Sequence, residues 1–502
     1  MPHRGKRLLD RQLLLSLTHG TIEACFSVPM LQLTLGHLPF VIGFAVKALG
    51  WGAAGVGFLA ATPFLGYVLQ PPISFLMQRR LSLHAIVRLT FVINALPWFL
   101  VNLFPYLDGA ARDWLFAAIA YVSAQANAIC GVAWSSSMSE LVPLAIRGRY
   151  FGRRNLHYGF WTLVTILVVG HVADRTGNSL AVFGLVYSLA AVSRLVGLYF
   201  FTRMQFPASV MTHAARAMTL SGFRVPLADR SFLFLLAFNG LCGMLLFVGI
   251  PFYNVYVLTE LRYSLGELAV LTTLANLTGL VSVTTWMPLT DRFGVKPVMA
   301  WSIVVWTVSA SALWLLCGPS RAFLAYPSYA VYGFMWALFQ LLQLTVMMKM
   351  APPEHRTYYI STFYASTYAL TFAGPFLGGW LLTHLPADCG HLSGLALTRY
   401  HVVLVGSLLL CLTTVALLRG VAEPAAGSLR DVARTLRSSA QFNPLLMVVS
   451  IAQQLFGGSA ISSVLRHSRR TLRKQSHALS DVGEELAQES WRAVRRPFRR
   501  RA

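Results

Sequence analysis

The sequence predicts an all-α integral membrane protein with twelve transmembrane helices, arranged as two related bundles of six. Three observations lead to this fold class. Of the 502 residues, 56% are hydrophobic and only 12% are charged, which is about half the charged fraction of an ordinary soluble domain. The mean hydropathy of +0.59 shows that apolar residues fill the chain and are not confined to one core. The two halves also share residues at a nearly constant offset.

Twelve stretches are apolar enough and long enough to cross a bilayer, which takes about 20 residues as a helix. The predicted spans of the first half are 14–46, 52–77, 83–104, 114–139, 150–173 and 178–202. Those of the second half are 231–258, 264–289, 297–317, 322–349, 357–384 and 400–419. The first span is too long for one straight helix, and we expect Pro29, Gly36 and Pro39 to kink it or to make part of it interfacial.

The spans divide the chain into five segments. These are a cytoplasmic amino terminus (1–12), an amino-terminal bundle (13–202), a polar linker (203–230), a carboxy-terminal bundle (231–420) and a basic tail (421–502). Within the tail, 443–456 opens with a helix-start signal but is too short to span a bilayer. We expect it to lie as an interfacial helix on the inner membrane surface. The stretch 466–501 is predicted to lie on the lipid surface or to be disordered.

The basic residues predict the orientation, because cytoplasmic loops carry the excess of Lys and Arg. Most of the 41 basic residues fall on the face that holds both termini. The opposite face has only Lys47, Arg112, Arg175, Arg262, Arg321 and Arg399. Both termini are therefore predicted to be cytoplasmic, with the protein in the inner membrane. The net charge of +23 is then explained by orientation and by attraction of the tail to anionic lipids, so no nucleic-acid partner is predicted.

Neither a cofactor nor a metal is predicted. The six cysteines are scattered, mostly within apolar runs, and they form no C-x-x-C pair, which argues against a disulfide framework and a zinc site. The sequence has no P-loop motif, so ATP-driven transport by this chain is not supported.

An internal repeat connects the two halves. Pro39 and Trp51 correspond to Pro251 and Tyr263 at an offset of 212, with further matches between them. At an offset of 209, the matches are Pro143 with Pro352, Arg147 with Arg356, Tyr150 with Tyr359 and Gly170 with Gly379. Parallel six-helix repeats are a transporter architecture in which the solute site lies between the halves, near the bilayer midplane.

Over roughly residues 12–420 the chain resembles the major facilitator superfamily. The segment 291–296, with the sequence DRFGVK, is similar to the second-half copy of the family's signature loop, whereas the first-half copy has lost its acidic residue. The segment 134–155 resembles a bacterial branch of the superfamily with mostly unassigned substrates. The resemblance implies a bacterial protein and a cytoplasmic interlock at the signature loop. The implied interlock residues are Asp291, Arg292 and Gly294. On the same face, a cytoplasmic cluster is predicted to serve topology and to form a salt-bridge latch of the outward-open state; its members are Glu140, Arg147, Arg149, Arg153 and Arg154.

Glu23 is the one carboxylate predicted to lie well inside a span, and His19 is one helical turn before it. Intramembrane ionisable residues often mark a proton or ion path. These two residues are therefore the predicted coupling site. The alternative is that Glu23 lies near the inner end and pairs with an arginine of a loop. Arg194 is also within a span, and we expect its long side chain to extend to the inner interface.

Cavity candidates come from the helices that line the centre in this superfamily. They are polar or aromatic residues that can orient a solute by hydrogen bonds, and singly each can equally well join two helices. The candidates are Gln32, Gln125, Asn127, His157, Tyr158, Trp161, Asn239, Tyr253, Asn254, Asn276, Gln340, Gln343, Tyr364 and Tyr368. No basic residue is predicted near the cavity centre, which favours a neutral, cationic or amphipathic solute over a strongly anionic one.

The sequence therefore predicts a monomeric secondary transporter that moves a small solute by alternating access, with proton coupling through Glu23. The alternative is a non-transporting assembly or interaction protein of the same fold, which the long basic tail suggests. A membrane enzyme is the least favoured class, because no catalytic constellation is apparent.

Overall fold

The computed structural model describes residues 2–78, 80–207, 210, 220–392 and 395–423, and nearly all of them are helical. The predicted interfacial helix at 443–456 and the basic stretch 466–501 lie outside the described residues. So do residues 211–219 of the linker.

The amino-terminal lobe contains seven α-helices. They are α1 (Pro2–Thr34), α2 (Pro39–Lys47), α3 (Ala53–Gln78), α4 (Leu83–Ala95), α5 (Gly109–Leu141), α6 (Leu144–Arg175) and α7 (Leu180–Thr202). A 3₁₀ helix, Leu96–Tyr106, continues α4. The change of helix type coincides with Pro97, which has no N–H to donate to the α-helical ladder.

The carboxy-terminal lobe follows the linker. Its α-helices are α8 (Arg224–Ala228), α9 (Arg230–Thr259), α10 (Leu265–Phe293), α11 (Val295–Leu316), α12 (Ala325–Met350), α13 (Arg356–Thr371), α14 (Ala373–His384) and α15 (Arg399–Thr414). The 3₁₀ helices are Leu220–Phe223, Pro319–Leu324, Pro353–His355 and Val415–Gly420. An antiparallel hairpin of β1 (Asp388–Leu392) and β2 (Leu395–Thr398) connects α14 to α15.

The helices account for all twelve predicted crossings. Among the described residues, ten helices are long and apolar enough to cross a membrane. The bent pair Gln12–Thr34 and Pro39–Lys47 forms a further span. The eleventh predicted span is present as α13 and α14, which meet at Phe372. The all-α fold of twelve transmembrane helices is therefore confirmed.

The first span breaks after Thr34 and bends by 42°. Of the three residues expected to cause the bend, Pro29 lies inside α1 without ending it, whereas Gly36 and Pro39 are at the break. A Cβ atom on Gly36 would lie only 1.9 Å from the carbonyl oxygen of Leu59 on α3. Only glycine therefore allows the chain to turn this close to α3.

Several helices begin at residues whose side chains cap the first turn. Asp108 accepts a hydrogen bond from the backbone N–H of Ala111 at 2.7 Å, and Asp229 accepts one from Phe232 at 3.1 Å. Such caps satisfy N–H groups that have no partner within the helix. Both of these aspartates act within their own lobe.

Each lobe closes on its own aromatic core. In the amino-terminal lobe, the ring of Phe44 lies 4.6 Å from Phe183 and 5.3 Å from Tyr187, centroid to centroid. In the carboxy-terminal lobe, Tyr253 stacks on Trp314 at 4.6 Å. Rings at these separations stabilise the core beyond simple area burial.

The two lobes contact each other through equivalent positions of the repeat. A Cβ on Gly170 of α6 would meet the carbonyl oxygen of Leu265 and the Cα of Gly266 at the start of α10. A Cβ on Gly379 of α14 would meet the corresponding atoms of Ala53 and Ala54 at the start of α3. The glycines are related by the offset of 209, and their partners by the offset of 212. Two pseudo-symmetric lobes are thus confirmed by matching contacts.

Candidate functional site

The lobes meet tightly at what we call the outer end, meaning the helix ends away from the face that carries most Lys and Arg. Lys47 of α2 donates a hydrogen bond from Nζ to the carbonyl oxygen of Leu258 on α9, at 2.8 Å. The α6–α10 and α3–α14 contacts at Gly170 and Gly379 lie at the same end. The structure therefore has an outer-closed arrangement.

Asp174 is the most specific of these lobe-to-lobe contacts. Its Oδ2 accepts hydrogen bonds from Ser264 Oγ at 2.7 Å and from the backbone N–H of Gly266 at 3.0 Å. Ser264 is also the N-cap of α10, in a capping box with Glu267. Asp174 of one lobe thus adds its negative charge to the positive amino-terminal end of a helix of the other lobe.

A row of aromatic rings crosses the lobe boundary near the middles of α3 and α9. Phe64 lies 4.5 Å from Phe247 and 5.6 Å from Tyr368, and Tyr67 lies 4.6 Å from Tyr368. His37, at the break between α1 and α2, stacks on Phe64 at 5.9 Å. The parallel ring of Tyr364 lies 5.9 Å from Tyr368. We call His37, Phe64, Tyr67, Phe247, Tyr364 and Tyr368 the aromatic layer.

Glu23 is buried in an ion pair, with its side chain only 2% exposed. Arg154 of α6 donates from Nη2 to Glu23 Oε2 at 3.3 Å, and Ser27 donates from Oγ to Oε1 at 2.7 Å. The guanidinium of Arg154 also lies 4.3 Å from the centre of the Trp134 ring. Glu23 therefore has an arginine partner, as the alternative interpretation held, but the arginine lies in a helix and not in a loop.

His19 packs its ring against Phe200 of α7, with centroids 5.8 Å apart. Its Nδ1 is buried and has no hydrogen-bond partner among the described residues. The proton relay from His19 to Glu23 stays a prediction.

The prediction for Arg194 was wrong. Its side chain is 3% exposed and does not extend to the inner interface. The guanidinium lies 3.6 Å from the centre of the Phe91 ring, and Nη2 lies 3.7 Å from the Sγ of Cys130. Helix α7 directs this side chain into the amino-terminal lobe, where an aromatic face stabilises the cation.

The predicted cavity residues fall into three groups. Some join two helices or contact across the bundle: Gln32 donates to Tyr158 Oη at 3.4 Å, and Asn254 accepts from Tyr329 Oη at 2.8 Å. Others bond to their own helix: Asn239 donates to the carbonyl oxygen of Leu235, and Asn276 to that of Thr272. A third group is exposed or half-buried, namely Asn127, His157, Trp161, Gln340 and Gln343. The tyrosines are separate: Tyr253 packs in the core of its lobe, and Tyr364 and Tyr368 belong to the aromatic layer.

Gln125 differs from these residues. Both amide atoms are buried, and neither has a hydrogen-bond partner in the described part of the chain. An unpaired buried amide is costly, so Gln125 stays a candidate for a solute contact.

A small cavity lies at the lobe boundary beside two of the predicted residues. Its volume is about 30 Å³, room for one water-sized group. Tyr253, Asn254, Tyr329 and Tyr332 of the carboxy-terminal lobe line it, together with Pro39 of the amino-terminal lobe.

The predicted inner gate residues separate into different contacts. Arg147 donates to the carbonyl oxygens of Ser139 and Val142 and so caps the end of α5. Arg154 pairs with Glu23. Glu140, Arg153, Asp291 and Arg292 are exposed, and Gly294 has a φ of +85°, which favours glycine.

Glu423 is an inner-end residue that sequence reasoning missed. Its Oε1 and Oε2 accept hydrogen bonds from the backbone N–H groups of Val295 and Lys296, at 3.0 and 2.8 Å. Lys349 Nζ lies 3.2 Å from Oε1. The signature loop therefore meets a carboxylate that follows the last span, and this carboxylate caps α11.

The described residues contain no cluster of three His, Cys, Asp or Glu side chains that could hold a metal ion.

Comparisons with known proteins agree with this architecture. The sequence pattern of the Major Facilitator Superfamily matches residues 250–471. In a search of curated proteins, none matches the chain. Among solved structures, the nucleoside transporter NupG is 15% identical, with a TM-score of 0.60, covering 82% of this chain and 98% of that one. A bacterial homologue of the iron transporter ferroportin, in an inward-facing state, is 13% identical, with a TM-score of 0.60, covering 83% and 100%. The xylose transporter XylE from E. coli, in an inward-open conformation, is 12% identical, with a TM-score of 0.55, covering 84% and 98%.

Two related six-helix lobes that contact each other along a central boundary are an architecture typical of multi-pass membrane transporters. At these identities the likeness to solved structures shows the fold alone. The sequence match covers residues 250–471, less than half of the chain, and is therefore a similarity to the major facilitator superfamily.

Proposed function

We propose that this protein is a secondary transporter of the major facilitator superfamily. It carries a small neutral, cationic or amphipathic solute by alternating access, and protons drive the transport through Glu23. The buried Glu23–Arg154 pair carries the coupling proposal. A carboxylate in this position is stable because a guanidinium neutralises it. A proton that arrives at Glu23 removes this attraction and releases Arg154, so protonation changes the contact between α1 and α6.

The aromatic layer supports the solute class. Its ring faces suit cations and apolar groups, and it lies at the lobe boundary, where the superfamily binds its solutes. Gln125 and the Tyr158 hydroxyl offer hydrogen bonds on the amino-terminal side. The two guanidiniums buried in this lobe face groups of the protein: Arg154 pairs with Glu23, and Arg194 lies against Phe91 and Cys130, although its Nε has no partner among the described residues. Neither therefore favours an anionic solute.

A thermal-shift panel on the purified protein identifies the solute, since a ligand of the folded state raises its apparent stability. The panel contains organic cations and amphipathic compounds. It also contains nucleosides and xylose, because similar structures are named as transporters of these. A stabilising compound is then tested for uptake into proteoliposomes under a pH gradient.

Glu23→Gln tests the proton coupling. We expect it to abolish accumulation driven by the pH gradient and to leave counterflow exchange intact, because the variant keeps the side-chain shape but cannot bind and release the proton. Asp388→Asn removes a carboxylate from the exposed hairpin and is the matched control. Accumulation at the wild-type level by Glu23→Gln would contradict the coupling.

The location of the protein is also part of the proposal. We place it in the bacterial inner membrane as a monomer, with both termini in the cytoplasm and anionic lipids at the basic tail. Support comes from the distribution of Lys and Arg along the sequence.

A deletion of residues 424–502 separates this function from the non-transporting alternative. It leaves Glu423 in place, because this residue belongs to the carboxy-terminal lobe. A transporter keeps flux without the tail, whereas an assembly protein that docks through the tail loses its partner.

A further inference from the structure

A second cavity, of about 460 Å³, opens at the outer end between the two lobes. Residues 51–55, at the start of α3, form its wall on the amino-terminal side. Thr259 and Glu260 at the end of α9, Thr383 of α14, and Arg399 and Tyr400 of α15 line the other side. We call this cavity the outer vestibule. Its volume is in the range of small-molecule sites.

The outer vestibule is separate from the aromatic layer. The hydrogen bond from Lys47 to Leu258, next to Thr259, borders it on one side. The close approach of Gly379 to Ala53 borders it on another. A solute held here in the outer-closed arrangement therefore occupies a site of its own, with both lobes as its walls.

Two opposite charges line the outer vestibule. Within the described part of the chain, neither Glu260 nor Arg399 forms an ion pair. Arg399 is held in place by a hydrogen bond from Nη1 to the carbonyl oxygen of Leu382 at 3.0 Å, which leaves its other N–H groups for a ligand.

Both charges are on the unfavourable ends of their helices. Glu260 is the C-cap of α9, where the helix dipole favours a cation. Arg399 is the first residue of α15, where the dipole favours an anion. Neither side chain therefore stabilises its own helix. Arg399 bonds instead to the last turn of α14. Glu260 breaks the local rule without such a contact among the described residues, as residues of functional sites often do.

We propose that the outer vestibule binds a small zwitterion, with its ammonium group at Glu260 and its carboxylate at Arg399. One such molecule satisfies both charges, whereas a simple cation or anion satisfies one. The rings of Trp51 and Tyr400 give the ammonium and the apolar part of the molecule aromatic surface to pack on. Because the walls come from both lobes, the bound zwitterion stabilises the outer-closed arrangement.

The test uses the purified full-length protein and omega-amino acids of increasing length, namely glycine, γ-aminobutyrate and ε-aminocaproate. Butylamine and butyrate serve as the two halves of such a molecule. We expect at least one zwitterion to raise the unfolding temperature more than either half does. Glu260→Gln and Arg399→Gln should each weaken zwitterion binding by about tenfold or more, because each removes one charge-assisted contact.

The half-molecules distinguish the two ends of the site. Glu260→Gln should lose the response to butylamine and keep that to butyrate, and Arg399→Gln should do the reverse. Arg262→Gln, which neutralises an exposed arginine of the neighbouring outer loop, should bind as the wild type does. The transport proposal is tested separately, by accumulation in proteoliposomes, whereas this one is tested by binding to the purified protein, so the two failures can be told apart.

The unfolding temperature of each variant, measured without ligand, shows whether the substitution impairs folding. Glu260 opposes the dipole of its own helix, and Arg399 makes one hydrogen bond to α14, so each variant should unfold near the wild-type temperature. The proposal is wrong if no zwitterion stabilises the wild type, or if binding survives both substitutions. It is equally wrong if both variants unfold well below the wild type, because the charges would then serve the fold.

Discussion

Arg154 and Asp174 lie on one helix, α6, and each pairs with a different partner. Arg154, near the inner end, forms the ion pair with Glu23 inside the amino-terminal lobe. Asp174, near the outer end, bonds to Ser264 and Gly266 of the opposite lobe. At 1.5 Å per residue the two lie about 30 Å apart along the helix axis. Helix α6 thus connects the proposed proton site to the closure of the outer end.

We expect Asp174→Ala to shift the lobes away from the outer-closed arrangement. The substitution removes two hydrogen bonds and a charge at a helix start, a loss of about 1 kcal/mol, which changes the ratio of the two arrangements about fivefold. Spin labels at Tyr106 and Phe323, exposed near the outer ends of the two lobes, report the distance between the lobes. Asp229→Ala is the control, because it removes a cap inside one lobe. An unchanged distance distribution in Asp174→Ala would contradict the role of Asp174.

The two ends of α6 should also be energetically coupled. If protonation at Glu23 acts on the outer end through α6, then Glu23→Gln and Asp174→Asn should not have additive effects on the lobe distance. A double-mutant cycle with the same spin labels measures the interaction energy. Additive effects, within about 0.3 kcal/mol, would show that the two sites act independently.

Gly170 and Gly379 give a prediction that depends on the pseudo-symmetry. An added Cβ would lie 2.6 Å from the Cβ of Ala269 at Gly170, and 2.8 Å from the carbonyl oxygen of Ala53 at Gly379. Gly170→Ala and Gly379→Ala should therefore both open the outer end, in the same direction. Gly159→Ala, on the same helix as Gly170, meets nothing within 4 Å and should leave the outer end closed. Alkylation of cysteines introduced at the outer end measures the opening, and opposite effects of the two alanines would contradict the symmetry.

The repeat and the spans could be predicted because they depend on local hydrophobicity and on matching positions in the two halves. The kink at Gly36 and Pro39 follows from the residues themselves. The pairing of Asp174 with Ser264 could not be predicted in this way, since it depends on how two lobes dock.

The direction of the Arg194 side chain could not be predicted either, for a different reason. Its direction depends on the rotation of α7 about its own axis, and hydropathy does not specify this rotation.

Glu423 was missed because it follows the last apolar run, where an acidic residue is normally part of a solvated tail. Arg154, predicted as part of the inner gate, has a buried partner because α6 packs against α1.

The cap of α11 by Glu423 predicts a pH dependence of stability. Burial by itself raises the pKa of this carboxyl group. The N–H groups of Lys296 and Val295, together with Lys349, outweigh that effect and hold the pKa below its ordinary value of 4.5. A carboxylate whose pKa is lower in the folded state stabilises the protein fully above its unfolded-state pKa, and this contribution is lost as the pH falls through the folded-state pKa. The wild type should therefore lose stability below about pH 4.5.

Glu423→Gln should be less stable at neutral pH and should show a smaller loss on acidification. Thermal unfolding between neutral and acidic pH measures both effects, with Glu354→Gln, an exposed inner-end carboxylate, as the control. Parallel curves for Glu423→Gln and the wild type would show that Glu423 does not stabilise the start of α11.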